Sequence, residues 1–284
     1  KDLISEAGIV TKNVAVGIPS GRVFTTVVDM DRLPQNELGK TISYQADALI
    51  PTPLNESKID WQVIGDSPVD KNKVEVLLSS VSNQFIEKRL DLLESIGLNV
   101  IAFEPDTFAL ARAVTSEEVL TQQMIIDMGN VSTDIVIVMN GAPRLTRSIP
   151  TGSDALVRSA MQNLNIDDKQ AQQFVFKFGL NKDKLEGQIY QAILTTVDIV
   201  VGEVEKSIKF FNTRYTTSKL DKIIVTGGAS ILPEFPLYIA NKFGVNVEIG
   251  NAWRNVSFPA ARQNELLAVS NSFAVAAGLA ERIE

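Results

Sequence analysis

Two glycine-containing turns are the segments of the sequence best suited to chemistry. The first ends an apolar run over residues 124–128 and reads Asp-Met-Gly-Asn-Val-Ser-Thr from Asp127 to Thr133. An Asp at the end of a buried strand lies at the rim of an α/β sheet, where ligands bind in open folds. Gly129 lets the backbone approach an anion, and Ser132 and Thr133 supply hydroxyls and amides. Asp127 is suited to hold Mg²⁺ through water, because Mg²⁺ prefers oxygen ligands and keeps several of its own waters.

The second turn follows another apolar run, Ile223–Thr226, and contains Gly227, Gly228 and Ala229. Two glycines after a buried strand let a phosphate or a flat ligand approach the main chain. A helix predicted to begin near Pro233 would add the partial positive charge of its N-terminus. This turn is therefore a second candidate for contact with a phosphate or a nucleotide.

Both turns also have a plainer interpretation. The first is explained equally by a β-hairpin with polar turn residues, and the second by a tight strand–helix turn of the kind found in any α/β protein. A third candidate, Glu203 with Lys206, lies on one face of a predicted helix. A solvated ion pair accounts for these two residues as well. Residue types alone leave these alternatives open.

The composition excludes several kinds of site. The 284 residues include no His and no Cys, and 27 Lys and Arg against 34 Asp and Glu give a formal net charge of −7. Ser-His-Asp and Cys-His nucleophiles, Cys/His metal sites and disulfides are therefore excluded. The acidic balance argues against a nucleic-acid partner, and no apolar run reaches the roughly 20 residues of a membrane span. Mg²⁺ and phosphate sites remain, as do glycosidase-like carboxylate pairs, although no pair is singled out by its context.

Alternating strand and helix patterns must position these turns. The length suggests about two domains. The first 105 residues predict a small α+β module, in which Asn13–Ile18 and Val23–Met30 are strands separated by a hairpin-type break at Pro19-Ser20-Gly21. From about residue 123, buried strands alternate with helices, and Asn140-Gly141 predicts a hairpin turn. This part predicts a layered α/β fold with a mixed sheet that ends in an Ala-rich helix.

The order of these parts resembles the second half of the actin, sugar-kinase and heat-shock ATPase superfamily. In that superfamily the Asp-x-Gly turn is the second phosphate loop and the Gly-Gly turn is the adenosine loop. The closing helix returns to the first domain. The resemblance implies an actin-like ATPase fold with ribonuclease H-like domains.

The sequence is more closely similar to the PilM family of type IV pilus assembly proteins. The matching segments cover nearly the whole chain: Ala48–Leu54, Asp127–Asp134, Asn140–Pro143, Thr146–Pro150 and Glu203–Ser207. The last segment matches the family's Glu-x-x-Arg-Ser helix, whose charged ends lie by the adenine and ribose, and Lys206 replaces the commoner Arg. The paired glycine that is usual after the hairpin is here Thr151-Gly152.

This resemblance implies a division into five parts. Residues 1–12 would be a remnant of the first large domain, and residues 13–104 would be an FtsA/PilM-type (SHS2) insertion domain. Residues 105–122 would be a helix of the first large domain. Residues 123–264 would be the second large domain, with a helical subdomain at about 152–216, and residues 265–284 would be the returning helix. The family's first phosphate loop, on an N-terminal strand hairpin, has no match in the sequence. We therefore expect the chain to begin after that hairpin, with nucleotide binding weakened by its absence.

The implied ligand is ATP or ADP with Mg²⁺, held without hydrolysis or with weak hydrolysis. No catalytic residue is identified. Asp127 would hold Mg²⁺ through water. The residues expected to bind the nucleotide are Asp127, Gly129, Asn130, Ser132, Thr133, Gly152, Glu203, Lys206, Gly227, Gly228 and Ala229.

The implied function is a cytoplasmic scaffold, peripheral at the inner face of the cytoplasmic membrane and without a membrane span of its own. It would bind the N-terminal peptide of a PilN-like inner-membrane protein and link that platform to the pilus motor ATPases, with homo-oligomers as a further option. The alternatives are an FtsA-like division filament, a type II secretion relative and a sugar or metabolite kinase. The kinase would need a base such as Asp154, which is better explained as a helix first-turn carboxylate.

Overall fold

The chain folds into two units, Lys1–Ala109 together with Arg282, and Leu110–Glu281. The computed structural model describes residues 1–115 and 121–282. The predicted helix of the first large domain, 105–122, falls partly outside the described residues. The five-part division expected from the resemblance stays a prediction.

The first unit alternates strands and helices, as the sequence predicts. Its elements are α1 (Asp2–Glu6), β1 (Asn13–Ile18), β2 (Val23–Asp31), α2 (Gln35–Leu49), β3 (Ser57–Asp66), β4 (Lys73–Ser82), α3 (Asn83–Ser95) and β5 (Asn99–Pro105). The next helix, α4 (Asp106–Val114), carries the chain into the second unit.

An antiparallel sheet in the order β2-β4-β3 is packed against α2. Leu38, Ile42 and Ala46 recur every four residues, so they share one face of α2, and all three are buried. They join a core that includes Val76 and Leu78, which point to the same side of β4 because strand side chains alternate. The helical and the strand periodicities thus meet in one hydrophobic core.

The expected hairpin between the first two strands is wrong. β1 pairs in parallel with β5, with Asn13 opposite Asn99, while β2 pairs antiparallel with β4. The break is a short 3₁₀ turn, Ser20–Arg22, in which the amide of Arg22 donates to the carbonyl of Pro19 at 2.8 Å. It leads the chain from one sheet to another rather than folding it back on itself.

The second unit contains a five-stranded mixed sheet in the order β10-β9-β6-β7-β8. Its elements are β6 (Gln122–Met128), β7 (Thr133–Met139), β8 (Ala142–Ile149), α5 (Ser153–Leu164), α6 (Asp168–Phe178), α7 (Gln188–Arg214), β9 (Lys222–Thr226), α8 (Phe235–Phe243), β10 (Asn246–Ile249) and α9 (Gln263–Ala280). The strands β6, β9 and β10 are parallel, and β6, β7 and β8 are antiparallel neighbours. The predicted mixed sheet is confirmed.

Both faces of the central strand β6 are covered, which explains its unbroken apolar sequence. Met124 and Ile126 belong to a core shared with helices α5 to α8, whereas Ile125 belongs to a second core that includes Ala274 and Ala277 of α9. The sheet is therefore a middle layer, and a polar residue such as Asp127 becomes accessible only where the strand ends.

The tight turn between β7 and β8 has the backbone predicted from its sequence. Asn140 and Gly141 have φ values of +53° and +75°, the left-handed conformations of a type I′ hairpin.

Among the residues that the structure describes, no helix is long and apolar enough to cross a membrane.

Candidate functional site

The two glycine turns meet at one edge of the mixed sheet. Since β6 and β9 are parallel neighbours, with Asp127 opposite Thr226, their carboxyl ends lie side by side. A cavity of about 240 Å³ opens there. Its lining comprises Asp127 and Gly129 from the first turn, Gly227 and Gly228 from the second, and Asn271, Ser272, Ala274 and Val275 from α9.

The first turn is held by main-chain hydrogen bonds to the beginning of α5. The amide of Ser153 donates to the carbonyl of Gly129 at 3.0 Å, and the amide of Asp154 donates to the carbonyl of Asn130 at 3.0 Å. Gly152 lies so close that a Cβ atom there would be 2.5 Å from the Asn130 carbonyl oxygen. A glycine is therefore required where α5 begins, and a role of Gly152 in nucleotide binding stays a prediction.

The hydroxyls of the first turn differ in their surroundings. Thr133 is fully buried, and its hydroxyl donates to the carbonyl of Thr151 at 2.7 Å. The side-chain oxygen of Asn130 accepts from the Ser153 hydroxyl at 3.2 Å, while Ser132 is half-buried. The Thr133 hydroxyl thus joins the beginning of β7 to the segment after β8, and its direct contact with a ligand stays a prediction.

The second turn is fixed by the first turn and by α9. Gly227 has a φ of +83°, and a Cβ atom there would lie 2.3 Å from Oδ1 of Asp127. Its amide donates to the carbonyl of Asn271 at 3.1 Å, and Nδ2 of Asn271 donates back to the Gly227 carbonyl at 3.1 Å. The amide of Ala229 donates to the carbonyl of Met128 at 3.0 Å. These contacts hold Asp127 and the Gly-Gly turn together.

Gly228 and Ala229 differ in their exposure to solvent. A Cβ atom on Gly228 would have no atom within 4 Å, so this part of the backbone is open to a ligand. Ala229 is fully buried and its methyl group belongs to the hydrophobic core. Any contact of Ala229 with a ligand would therefore use its main chain.

The residues fit a nucleotide phosphate with Mg²⁺ held through water. The cavity is lined by exposed backbone at Gly228 and by Gly227, where a Cβ atom would lie 2.3 Å from Asp127, and backbone left open by small residues suits a phosphate. Within the described ranges, 1–115 and 121–282, no cluster of three or more Asp and Glu side chains could hold a metal directly. Binding of Mg²⁺ by Asp127 through water stays a prediction.

Glu203 and Lys206 are not among the residues that line this cavity. Lys206 Nζ lies 2.7 Å from Oε1 of Glu203, and Arg147 Nη1 of β8 lies 2.7 Å from Oε2. The hydrogen bond from Lys206, followed by the charges of Lys206 and Arg147, lowers the pKa of the Glu203 carboxyl below its ordinary 4.5. The contact of this cluster with adenine and ribose stays a prediction.

Sequence reasoning missed the contribution of α9 to the cavity. Asn271 and Ser272 interrupt an otherwise apolar, Ala-rich helix, and this interruption was the available signal. Nothing in the local pattern pairs Asn271 with Gly227, because 44 residues separate them. The positive charge of Arg147 is evident from the sequence, but its ion pair with Glu203 depends on the packing of α7 beside β8.

Comparison with known proteins gives one family and several similar structures. The family described as type IV pilus assembly protein PilM matches residues 1–284. Among solved structures, a PilM-PilN type IV pilus biogenesis complex is similar at 22% identity and a TM-score of 0.81, covering 98% of this chain and 82% of that one.

Two other solved structures share the fold at lower identity. MreB5 of Spiroplasma citri bound to ADP is 16% identical with a TM-score of 0.55, covering 70% of this chain and 64% of that one. The ethanolamine utilization protein EutJ from Carboxydothermus hydrogenoformans is 13% identical with a TM-score of 0.51, covering 94% and 88%. The expected actin-like fold is confirmed.

The crowding at Gly227 is testable by replacing each glycine of the second turn. Gly227→Ala should lower the free energy of unfolding by about 2–4 kcal/mol, because it combines a left-handed backbone with a clash against Asp127. Gly228→Ala, its neighbour with open space, should change this free energy by about 0.5 kcal/mol or less. Urea denaturation measures both, and equal stability of the two variants would contradict the close approach.

The charge cluster on α7 predicts the acid titration of Glu203. A carboxyl whose pKa is lowered by folding stabilises the protein above its unfolded pKa, and this contribution is lost as pH falls through the folded pKa. NMR titration of the Glu203 carboxyl carbon should give a midpoint below 4.5. That midpoint should rise in Lys206→Gln.

Lys209→Gln is the matched control, since Lys209 pairs with Glu205 on the same helix. It should raise the pKa of Glu205 and leave that of Glu203 unchanged. An unchanged Glu203 midpoint in Lys206→Gln would show that this ion pair does not persist in solution.

Proposed function

The chain belongs to the family of type IV pilus assembly protein PilM, and from this premise we propose that it is an actin-like, nucleotide-binding scaffold of the pilus machinery. The observation that carries the nucleotide part is the convergence of Asp127, Gly129, Gly227 and Gly228 on one cavity. The fold supports it, since MreB5 of Spiroplasma citri shares the fold and was solved bound to ADP and to AMPPNP.

The proposed ligand is ATP or ADP with Mg²⁺. The Gly129 turn and the open backbone at Gly228 would take the phosphates, and Asp127 would orient the hydrated ion. When bound, Mg²⁺ supplies positive charge against the phosphate oxygens. Asp127 is the one charged side chain among the residues described as lining the cavity, so the ion and the backbone amides would balance the charge of the phosphates.

We further propose that the nucleotide stabilises one conformation rather than being turned over quickly. Asp154, the nearby carboxylate that a kinase would need as a base, is paired with Arg158 one helical turn away on α5. A ligand changes a conformational equilibrium only through its different affinity for the two states, and hydrolysis is not needed for this.

The carboxylate at the strand end should control Mg²⁺-dependent binding of ATP. Asp127→Asn keeps the size of the side chain but removes its charge, so the affinity for ATP in the presence of Mg²⁺ should fall about tenfold or more. The affinity for ATP in the presence of EDTA should change much less. Isothermal titration calorimetry measures both.

Asp183→Asn is the matched control, because Asp183 is exposed in the same unit and does not line the cavity. An equal loss in both variants would remove Asp127 from the site. Turnover of roughly one ATP per second, at the lower end of ordinary enzymes and abolished by Asp127→Asn, would overturn the proposal of a structural ligand.

The proposed partner is the N-terminal cytoplasmic peptide of a PilN-like inner-membrane protein, which would place the chain in the cytoplasm at the inner membrane surface. Support comes from the family and from the similar solved structure, which is a PilM-PilN complex. The family resemblance implies a peptide site between the insertion domain, predicted at 13–104, and the first large domain. An extended peptide can add to a sheet edge while its apolar side chains fill a groove.

Peptide binding is testable on the full chain without knowledge of the contact residues. A labelled N-terminal peptide of the PilN-like protein should bind with saturable fluorescence anisotropy, and a scrambled peptide of equal composition should not. Equal signals from the two peptides, or none from either, would count against this assignment.

The alternative functions receive no support from the family comparison. A division filament, a secretion-system relative and a sugar kinase were each compatible with the core motifs, but the PilM family matches the whole of residues 1–284.

A further inference from the structure

A second cavity, of about 430 Å³, lies within the first unit. It forms where β2 begins, β4 ends and α3 begins, and its lining includes Arg22, Phe24, Ser80, Phe85 and Lys88. None of these residues has a role in the nucleotide site, which belongs to the other unit. Several hydrogen-bond donors surround this cavity.

Two cations line the cavity without an acidic partner. Arg22 precedes β2 and Lys88 lies on α3, both are exposed, and neither makes an ion pair with any residue in the described ranges. Glu87 is also exposed on α3, but it does not line the cavity. The lining of the cavity therefore carries two positive charges and no negative one.

The beginning of α3 adds main-chain donors to these two charges. Ser82 occupies the N-cap position with an extended backbone, but its side chain accepts no capping hydrogen bond, and the first turn contains no acidic residue. The amides of Gln84 and Phe85, in a helix of 13 residues, are therefore left without a side-chain acceptor. Both residues line the cavity, and a helix N-terminus favours an anion there.

A buried hydroxyl gives independent evidence of a ligand. Ser80 is 3% exposed and lines the cavity, yet its Oγ has no hydrogen-bond partner among the described residues. Ser80 lies opposite Phe24 of β2, and both residues line the cavity. Because a buried polar group is nearly always paired, the unpartnered Oγ is available to hydrogen-bond a molecule in the cavity.

We propose that this cavity binds a phosphate monoester. Arg22 and Lys88, the two amides and the Ser80 hydroxyl provide more donors than one carboxylate uses, and they match the charge of about −2 and the several acceptor oxygens of a phosphate. The volume exceeds that of a phosphate group, and the half-buried rings of Phe24 and Phe85 provide an apolar wall for the rest of the molecule.

The test uses NMR titration of the ¹⁵N-labelled full chain with inorganic phosphate, phenyl phosphate and acetate. Inorganic phosphate should shift the amide signals of Gln84 and Phe85, phenyl phosphate should do so at lower concentration, and acetate should bind more weakly than both. Binding of inorganic phosphate as tight as that of phenyl phosphate would identify the free ion, rather than an ester, as the ligand and would overturn the monoester proposal.

Substitutions test the individual donors. Arg22→Gln and Lys88→Gln should each weaken phenyl phosphate binding by about threefold to tenfold. Lys40→Gln is the matched control, since Lys40 is exposed on α2 and does not line the cavity. An equal loss in the control would show general charge attraction and not a site.

Ser80→Ala separates a binding role from a structural one. Removal of an unpaired buried hydroxyl should leave the Tm of the ligand-free protein unchanged or higher, while phenyl phosphate affinity should fall by about threefold to tenfold. A lower Tm with unchanged affinity would overturn the role of Ser80. The amide signals of Gln84 and Phe85 report on this cavity and not on the nucleotide site, so failure here is distinguishable from failure of the nucleotide proposal.

Three further results would overturn the proposal: no shift at Gln84 and Phe85 with either phosphate, acetate binding as tightly as phenyl phosphate, or displacement of phenyl phosphate by an acidic peptide at lower concentration. The last result would identify the cavity as a site for a protein carboxylate.

Discussion

The close approach of two parallel strand ends is the constraint on which the candidate nucleotide site depends. At Gly227 a Cβ atom would be 2.3 Å from the Asp127 carboxylate and 2.5 Å from the Met128 carbonyl oxygen. Only glycine lets β6 and β9 end this near to each other, and the amide of Ala229 then reaches the Met128 carbonyl. The space left beyond Gly228 follows from that contact, as does the position of Asp127 at its rim.

A site built in this way relies on main-chain groups held by other main-chain groups. The first turn is bonded to the beginning of α5, and the second to α9. The backbone of both turns is therefore fixed in place, with the amides of Gly129, Gly227 and Ala229 donating to main-chain carbonyls. The chain contains no His and no Cys, and a cradle of amides with one carboxylate needs neither.

Much of this architecture could be predicted from residue patterns, but the long-range pairings could not. The apolar runs that become β6 and β9 and the Asn140-Gly141 turn are local signals, and the resemblance to the actin-like superfamily brought both glycine turns into one hypothesis. The β-branched run of β1 indicated a strand without indicating β5 as its partner. Likewise, the residue type of Thr133 does not reveal that its hydroxyl donates to the Thr151 carbonyl.

The reciprocal hydrogen bonds between Gly227 and Asn271 couple the position of α9 to that of the turn. Asn271 lies in the middle of an 18-residue helix, and both its carbonyl and its side chain are engaged. Displacement of the turn must break two hydrogen bonds, each worth about 1 kcal/mol, or it must move α9 as a rigid body. A change in the position of the turn is thus transmitted to α9 through one main-chain and one side-chain hydrogen bond of Asn271.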